Sequence, residues 1–393
     1  MRRLLAGLAC VAAASFLAAP ASAQGTIKIG LILPYSGQFA DTATQMDNGI
    51  KLYLAQKGET VAGKRIEIIR KDSGGPAPEV AKRLAQELVV RDRVDILAGF
   101  ILTPNALAAS DISEQAKKPM VIMNAATAII TTKSPYSVRV SMTVPQITEP
   151  FGQWIARSGV KKAYTMVSDF GPGHDAEQGF QRAFKEAGGE IIGSVRFPVA
   201  NPDFSAFVQR AKDANPESIF VFVPAGVQPA AVMKAFAERG VTSDKIKILS
   251  SGEITDDSAL KSAGDSALGV LTAYHYDHTH DSAMNREFVK AFRAISGGVN
   301  PNLLAVGGYD GMHLIYEVLK KTNGSADGET FIAAAKGMKW ESPRGPIAID
   351  PETRDIVQTI YIRRVQRVGG ELVNVEFDKI ENVKDPVKAR MKN

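Results

Sequence analysis

A short β-branched apolar run, a turn and a helix-period segment recur in that order along almost the whole chain, and this rhythm leaves few folds open. Neighbouring parallel strands need a crossover long enough to hold a helix, so such a rhythm builds a mainly parallel sheet with helices on its faces. The first half supplies strands at Ile27 to Leu33, Arg65 to Arg70, Val94 to Ala98 and Met120 to Met123, separated by helices at Asp41 to Gln56, Pro78 to Arg91 and Pro104 to Ala116. After Pro145 the rhythm restarts. Helices at Gln146 to Arg157, Gly173 to Glu186, Phe204 to Ala214 and Gln228 to Arg239 alternate with strands at Lys162 to Val167, Ile191 to Arg196, Ser218 to Val223 and Lys245 to Ser250. The tail adds helices at Met284 to Ile295 and Tyr309 to Lys320, then strand-like runs at Pro346 to Asp350 and Ile356 to Val365. This pattern predicts two doubly wound α/β lobes, both discontinuous: 24–143 with 277–345, and 144–276 with 346–393.

The N-terminus reads as an export signal. Arg2 and Arg3 precede an apolar run from Leu4 to Ala19 that ends in Ala21-Ser22-Ala23, with cleavage expected after Ala23. That run is shorter than the roughly 20 apolar residues a bilayer span requires, and Pro20 closes it. The single cysteine, Cys10, lies inside the signal, so the mature chain is expected to carry neither a disulfide nor a thiolate ligand. Without Arg2 and Arg3 the formal charge falls from +5 to +3, spread over amphipathic helices, which argues against nucleic-acid binding. The expectation is a periplasmic, soluble product.

In doubly wound sheets, ligands gather at the carboxyl ends of strands, where helix N-termini favour anions. The segments this singles out are Leu33 to Asp41, Gly99 to Asn105, Asn124 to Thr127, Ser168 to Gly173, Pro224 to Gln228 and Ser250 to Asp256. Thr103-Pro104 reads as an N-cap followed by proline at the first helical position. Its hydroxyl and the free N–H groups of that turn can hold a carboxylate. Asn124-Ala125-Ala126-Thr127 makes a second such loop, with small residues for close approach and a hydroxyl at Thr127. Phe170-Gly171-Pro172-Gly173 lacks the last glycine of a dinucleotide loop, because position 176 is Ala, and no G-x-x-x-x-G-K-[ST] loop occurs. No nucleotide or other cofactor is therefore expected, and Phe170 is free either to cover an apolar ligand or to join a core.

The stretch His275-Tyr276-Asp277-His278-Thr279-His280-Asp281 is the most enzyme-like. It raises a metal-dependent hydrolase as an alternative, against a solvated hinge loop as the preferred reading. Nucleophilic and zinc hydrolases lack a signature, since neither G-x-S-x-G nor H-E-x-x-H occurs. The expectation is no enzyme and no metal.

The segment Ile29-Gly30-Leu31-Ile32-Leu33-Pro34-Tyr35-Ser36-Gly37 before an amphipathic helix resembles the opening of periplasmic branched-chain amino-acid binding proteins. Asp72 before the helix at Pro78, the Phe170-Gly171-Pro172-Gly173 turn and Ala263-Gly264-Asp265 match in order, so the resemblance covers nearly the whole mature chain. It implies two Rossmann-like lobes joined by three crossovers, closing on a ligand and delivering it to an ABC permease in the inner membrane, with the receptor a monomer. It also implies that Thr103, the backbone of Ala125 and Thr127 hold a ligand carboxylate. Thr42 stands where leucine binders carry an aromatic residue, and Phe170 where they carry Tyr.

The ammonium side departs from the pattern. Gly252, not Glu253, falls where leucine binders place a glutamate, and the Val227-Gln228 segment lacks their tyrosine. A desolvated ammonium needs an anion or an aromatic face. The preferred ligand is therefore an aromatic acid, with Glu253 accepting a ring hydroxyl and Phe39, Phe100 or Phe170 against the ring. A branched-chain or other apolar amino acid held by Glu253 is the alternative.

Overall fold

The computed structural model describes residues 25–391; the expected signal, its cleavage site and Cys10 lie outside them. The first sheet has six strands: β1 (Thr26–Leu33), β2 (Thr60–Val61), β3 (Lys64–Asp72), β4 (Ile96–Gly99), β5 (Met120–Ile122) and β6 (Ser137–Arg139). Their order is β2-β3-β1-β4-β5-β6, and every pair is parallel except the β2–β3 hairpin. Strand order reverses on either side of β1, which is where a doubly wound sheet opens a crevice.

The second sheet has nine strands: β7 (Lys162–Ser168), β8 (Glu190–Phe197), β9 (Ser218–Phe222), β10 (Lys247–Ser251), β11 (Leu271–Tyr274), β12 (Lys339–Ser342), β13 (Gly345–Ile349), β14 (Ile356–Val368) and β15 (Glu371–Val383). β8-β7-β9-β10-β11 run parallel, and the tail adds β14 antiparallel to β11, flanked by β13 and β15. Both sheets are buried under helices, which accounts for runs such as Ile29 to Leu33 and Ser218 to Val223 having almost no polar face.

The chain passes between the sheets three times, after β6, after β11 and before β12. Helices Ala283–Ile295 and Leu303–Lys321 return to pack on the first-lobe helix Ala40–Lys57. The last of these begins six residues earlier than the periodicity suggests, because Gly307-Gly308 reads as a break. Those glycines instead permit a close crossing. A Cβ at Gly308 would stand 2.3 Å from the Met46 carbonyl, and one at Gly49 would stand 2.0 Å from the Ala305 carbonyl.

Two buried arginines tie the crossovers together. Arg344 donates to the carbonyls of Val140 and Ser141 and pairs with Asp310 at 2.9 Å, joining the first and third passages. Arg363 pairs with Asp277 at 2.9 Å and donates to the Tyr276 carbonyl at 3.2 Å on the second. The expectation of a solvated loop at 275–281 is corrected at its start, where His275, Tyr276 and Asp277 are buried near these guanidinium groups, while His278 to Asp281 are half-buried or exposed. Among the described residues no cluster of histidine, cysteine and carboxylate side chains could hold a metal. No helix among them is long and apolar enough to cross a membrane.

Candidate functional site

Between the lobes lies a recess with ≈ 450 Å³ of atom-free space. It collects the post-strand segments of both sheets. Ile101, Leu102, Met142, Phe222 and Leu303 give it apolar walls, and Thr103, Asn124, Phe170 and Glu253 also line it.

One end is built on two hydroxyls. Leu102, not Thr103, is the N-cap of helix Thr103–Ala116, so Thr103 is its first helical residue and Pro104 its second. The Thr103 side chain is thus released from capping. Its Oγ1 meets Thr127 Oγ1 at 3.0 Å, both buried. Across the lobe boundary, helix Gly171–Glu186 starts directly over this pair: a Cβ on Gly171 would stand 3.0 Å from Thr127 Oγ1, so only glycine fits without displacing the hydroxyl. Two helix N-termini therefore converge on one point, each with backbone N–H groups unsatisfied by the helix itself.

The 124–128 loop is shaped from behind. Asn124 donates to the Ile101 carbonyl at 2.9 Å and keeps Oδ1 unpartnered. The N–H of Ala125 is engaged by the Phe100 carbonyl at 2.8 Å, so Ala125 has no backbone donor left for a ligand. It is Ala126 that lines the recess. The Ala125 N–H expected to meet a carboxylate is therefore already engaged within the protein.

The other end is a buried carboxyl with one oxygen left unpartnered. Glu253 is 3 % exposed, and its Oε2 makes no hydrogen bond. Ser251 Oγ, Tyr274 Oη and Arg363 Nη2 are likewise buried without partners. Burial pushes the Glu253 carboxyl above its ordinary value of 4.5, while the neighbouring hydroxyls of Ser251 and Tyr274 and the Arg363 charge pull it back. Burial and the Glu253 and Asp256 charges push the Tyr274 phenol up as well.

Of the remaining expected residues, one lines the recess and the others sit apart from it. Phe170 does line it and faces Phe222 at 6.4 Å between ring centroids. Phe39 is buried at the cleft mouth, where a Cβ on Gly226 of the opposite lobe would touch its ring at 3.4 Å. Thr42 donates to the Phe39 carbonyl and borders a groove shared with Ala225 and Val227. Phe100 does not reach the ligand space. Its φ is +62°, and its ring lies in a core with Leu84, Leu88 and Ala106, under the helix that Thr103 begins. Gln228 is buried, donates to the Val199 carbonyl and lies outside the recess. At the mouth the lobes touch: Asn300 and Asn302 donate to Asp257 and Asp256.

The sequence model of the periplasmic binding protein family matches residues 26–371. The chain belongs to that family. It is 44% identical over 372 residues to Leu/Ile/Val-binding protein homolog 6 of Brucella melitensis, covering 94% of this chain and 95% of that one. A solute-binding protein of an ABC transporter from Rhodopseudomonas palustris BisB5, solved in complex with 3,4-dihydroxybenzoic acid, is 55% identical, with a TM-score of 0.89 over 92% of this chain and 99% of that one. A solute-binding protein from R. palustris HaA2, solved with p-hydroxybenzoic acid, is 40% identical, with a TM-score of 0.89 over 93% and 100%. The type I periplasmic fold, with two lobes and a cleft between them, is thus common to all of these.

Of the expected site residues Thr103, Phe170 and Glu253 line the recess and Thr127 stands behind Thr103, whereas Met142, Phe222 and Leu303 line it unannounced. Phe222 ends a strand already recognised, so the rule that pointed to post-strand loops reaches it when extended by two residues. Met142 lies in a crossover with no periodicity, and no sequence signal marks it.

Proposed function

We propose that this protein is the periplasmic receptor of an ABC importer and that its ligand is an aromatic carboxylate bearing a ring hydroxyl. The carboxylate sits against Thr103, Thr127 and the Ala126 N–H, between the two helix N-termini. The ring lies between Phe170, Phe222, Met142 and Leu303, and its hydroxyl donates to Glu253 Oε2. The observation that carries the reading is the polarity of the recess: a hydroxyl pair at one end, apolar walls, and a buried carboxyl with one unpartnered oxygen at the other. The hydroxybenzoate ligands of the two R. palustris proteins support it. Binding closes the lobes, an ABC permease takes up the ligand from the closed form, and no bond is made or broken in the ligand.

An amino acid is the alternative ligand: its ammonium would be met by Glu253, and its side chain would lie against Phe170 and Phe222. The test is a thermal-shift screen of refolded, ligand-free mature protein against hydroxybenzoates, benzoate, leucine, valine and phenylalanine. A ligand bound only by the folded state raises the melting temperature by mass action. Stabilisation by hydroxybenzoates and not by amino acids is expected. Stabilisation by leucine or valine alone would overturn the ligand class.

A further inference from the structure

The hydroxyl end of the recess is assembled on an arginine that never reaches it. Arg139, the last residue of β6, is fully buried and directs its guanidinium at backbone. Nη1 donates to the carbonyls of Ala125 at 3.0 Å, Thr127 at 2.9 Å and Met142 at 3.3 Å, and Nη2 to Ala128 at 3.3 Å. In a trans peptide the C=O and the following N–H point opposite ways. Drawing the Ala125 and Thr127 carbonyls inward therefore turns the N–H groups of Ala126 and Ala128 outward. That of Ala128 meets Asp175 Oδ2 at 2.9 Å. That of Ala126 is turned away from Arg139 on a residue that lines the recess.

Behind Arg139 stands a second layer. Its Nε pairs with Asp355 at 3.1 Å, and the other oxygen of Asp355 pairs with Lys388 on the C-terminal helix Pro386–Met391. Lys388 also reaches Thr131 Oγ1, in the turn that follows the loop. We propose that Arg139 is a positioning residue for the ligand carboxylate, held in register by Asp355 and Lys388, so that the C-terminal helix sets affinity without touching ligand. This rests on the reading that a carboxylate lies against Thr103 and Thr127.

Orientation, not bulk charge, is what Arg139 supplies. The cations Arg139, Arg354 and Lys388 are faced by the carboxyls of Asp355, Asp385 and Asp175, so the cluster is close to balanced. A lysine at 139 keeps the charge but, with three donors on one nitrogen in place of a planar five-donor fork, cannot hold four carbonyls and Asp355 together. Arg139→Lys should therefore fail to rescue.

The experiment is calorimetric titration of the refolded full mature chain with 4-hydroxybenzoate and with its neutral isostere 4-hydroxybenzamide. Charge-assisted bonds are about twice as strong as neutral ones, so a misdirected N–H costs the acid more than the amide. Arg139→Lys should weaken the acid about tenfold or more and Lys388→Met about threefold, with the amide changed by less than about twofold. Equal losses for acid and amide, or an unchanged acid affinity in either folded variant, would overturn the proposal. If Arg139→Lys does not fold, Lys388→Met, remote from the recess, decides alone. Wild type that binds neither compound would remove the carboxylate reading and this proposal together, whereas wild-type binding with unselective variants removes only the role of Arg139.

Discussion

The two ends of the recess differ in how their polar groups are satisfied before any ligand arrives. At the hydroxyl end, Thr103 and Thr127 bond each other and four carbonyls around them are held by one arginine. At the Glu253 end, a carboxylate oxygen, two hydroxyls and a guanidinium nitrogen are buried without a well-formed hydrogen bond, near enough only for the Ser251 and Tyr274 hydroxyls to act on the carboxyl. The first end is rigid and needs little reorganisation to receive an anion. The second carries a desolvation cost that a ligand hydroxyl can offset, since unsatisfied buried groups cost about 1–3 kcal/mol each. Affinity should therefore depend mostly on the first end, and discrimination among ring substituents mostly on the second.

The largest effect should come from removing both hydroxyls. Each charge-assisted bond to a carboxylate contributes about 1.5–3 kcal/mol, so Thr103→Ala with Thr127→Ala should weaken 4-hydroxybenzoate by about a hundredfold to ten-thousandfold. The melting temperature of the ligand-free double variant should change little, as the two hydroxyls mainly satisfy each other. Titration calorimetry beside a thermal melt checks both parts. A double variant that binds normally would dissolve the contrast between the ends, because the hydroxyl pair would then be a packing detail.

Replacing Glu253 by Ala should act on one ligand and spare another. The expected loss for 4-hydroxybenzoate is about tenfold to a hundredfold, the value of one hydrogen bond to a charged acceptor. Benzoate, which has no ring hydroxyl, should bind the variant at least as well as wild type. If both acids lose affinity equally, Glu253 shapes the recess instead of reading the ring, and competition between the two acids would show it.

How much of this could be read without coordinates depended on whether a residue's role follows from its place along the chain or from what lies behind it. Thr103, Thr127 and Glu253 follow strands β4, β5 and β10, and the doubly wound pattern alone puts such positions at a cleft. Phe100 occupies an equally suitable position yet points away, because a positive φ reverses its side-chain direction and no periodicity records φ. Arg139 sits in a three-residue strand with no neighbours of its own chemistry, and its partners Asp355 and Lys388 are more than 200 residues distant. Long-range polar pairing of that kind leaves no local signal. The C-terminal strands were legible only as far as Val365, since β15, with its alternating charges Glu376, Asp378 and Lys379, reads as a solvated tail until β14 is there to pair with it.

A smaller effect follows from protonation at the Glu253 end. Its folded pKa lies above the ordinary value of 4.5, so the folded state holds its proton more tightly than the unfolded chain does. Such a group stabilises the fold relative to its ionised state below about pH 4.5 and loses that contribution as pH rises through the folded value. Glu253→Gln removes the titration. The ligand-free variant should therefore melt higher than wild type at pH 8, with the gain shrinking as pH is lowered towards 4.5. The hydroxyl end has no counterpart, and the Thr103 and Thr127 variants should show no such pH-dependent difference from wild type. A gain that is flat between pH 4.5 and 8 would mean that Glu253 is not the group under strain.

The smallest effect on binding should come from the aromatic residue that the strand rule favoured and the backbone turned away. Phe100→Leu alters a ring packed among Leu84, Leu88 and Ala106, in the core under the helix that Thr103 begins and away from the recess. A near-volume-conserving apolar exchange of this kind costs less than about 1.5 kcal/mol of stability. The Phe100 carbonyl, which holds the Ala125 N–H, is backbone and survives the substitution. Affinity for 4-hydroxybenzoate should stay within about twofold of wild type while the melting temperature falls by a few degrees. A stable Phe100→Leu variant with weakened binding would instead show that the core behind β4 transmits its packing to the 124–128 loop, and the rigidity ascribed to the hydroxyl end would then rest on that core as much as on Arg139.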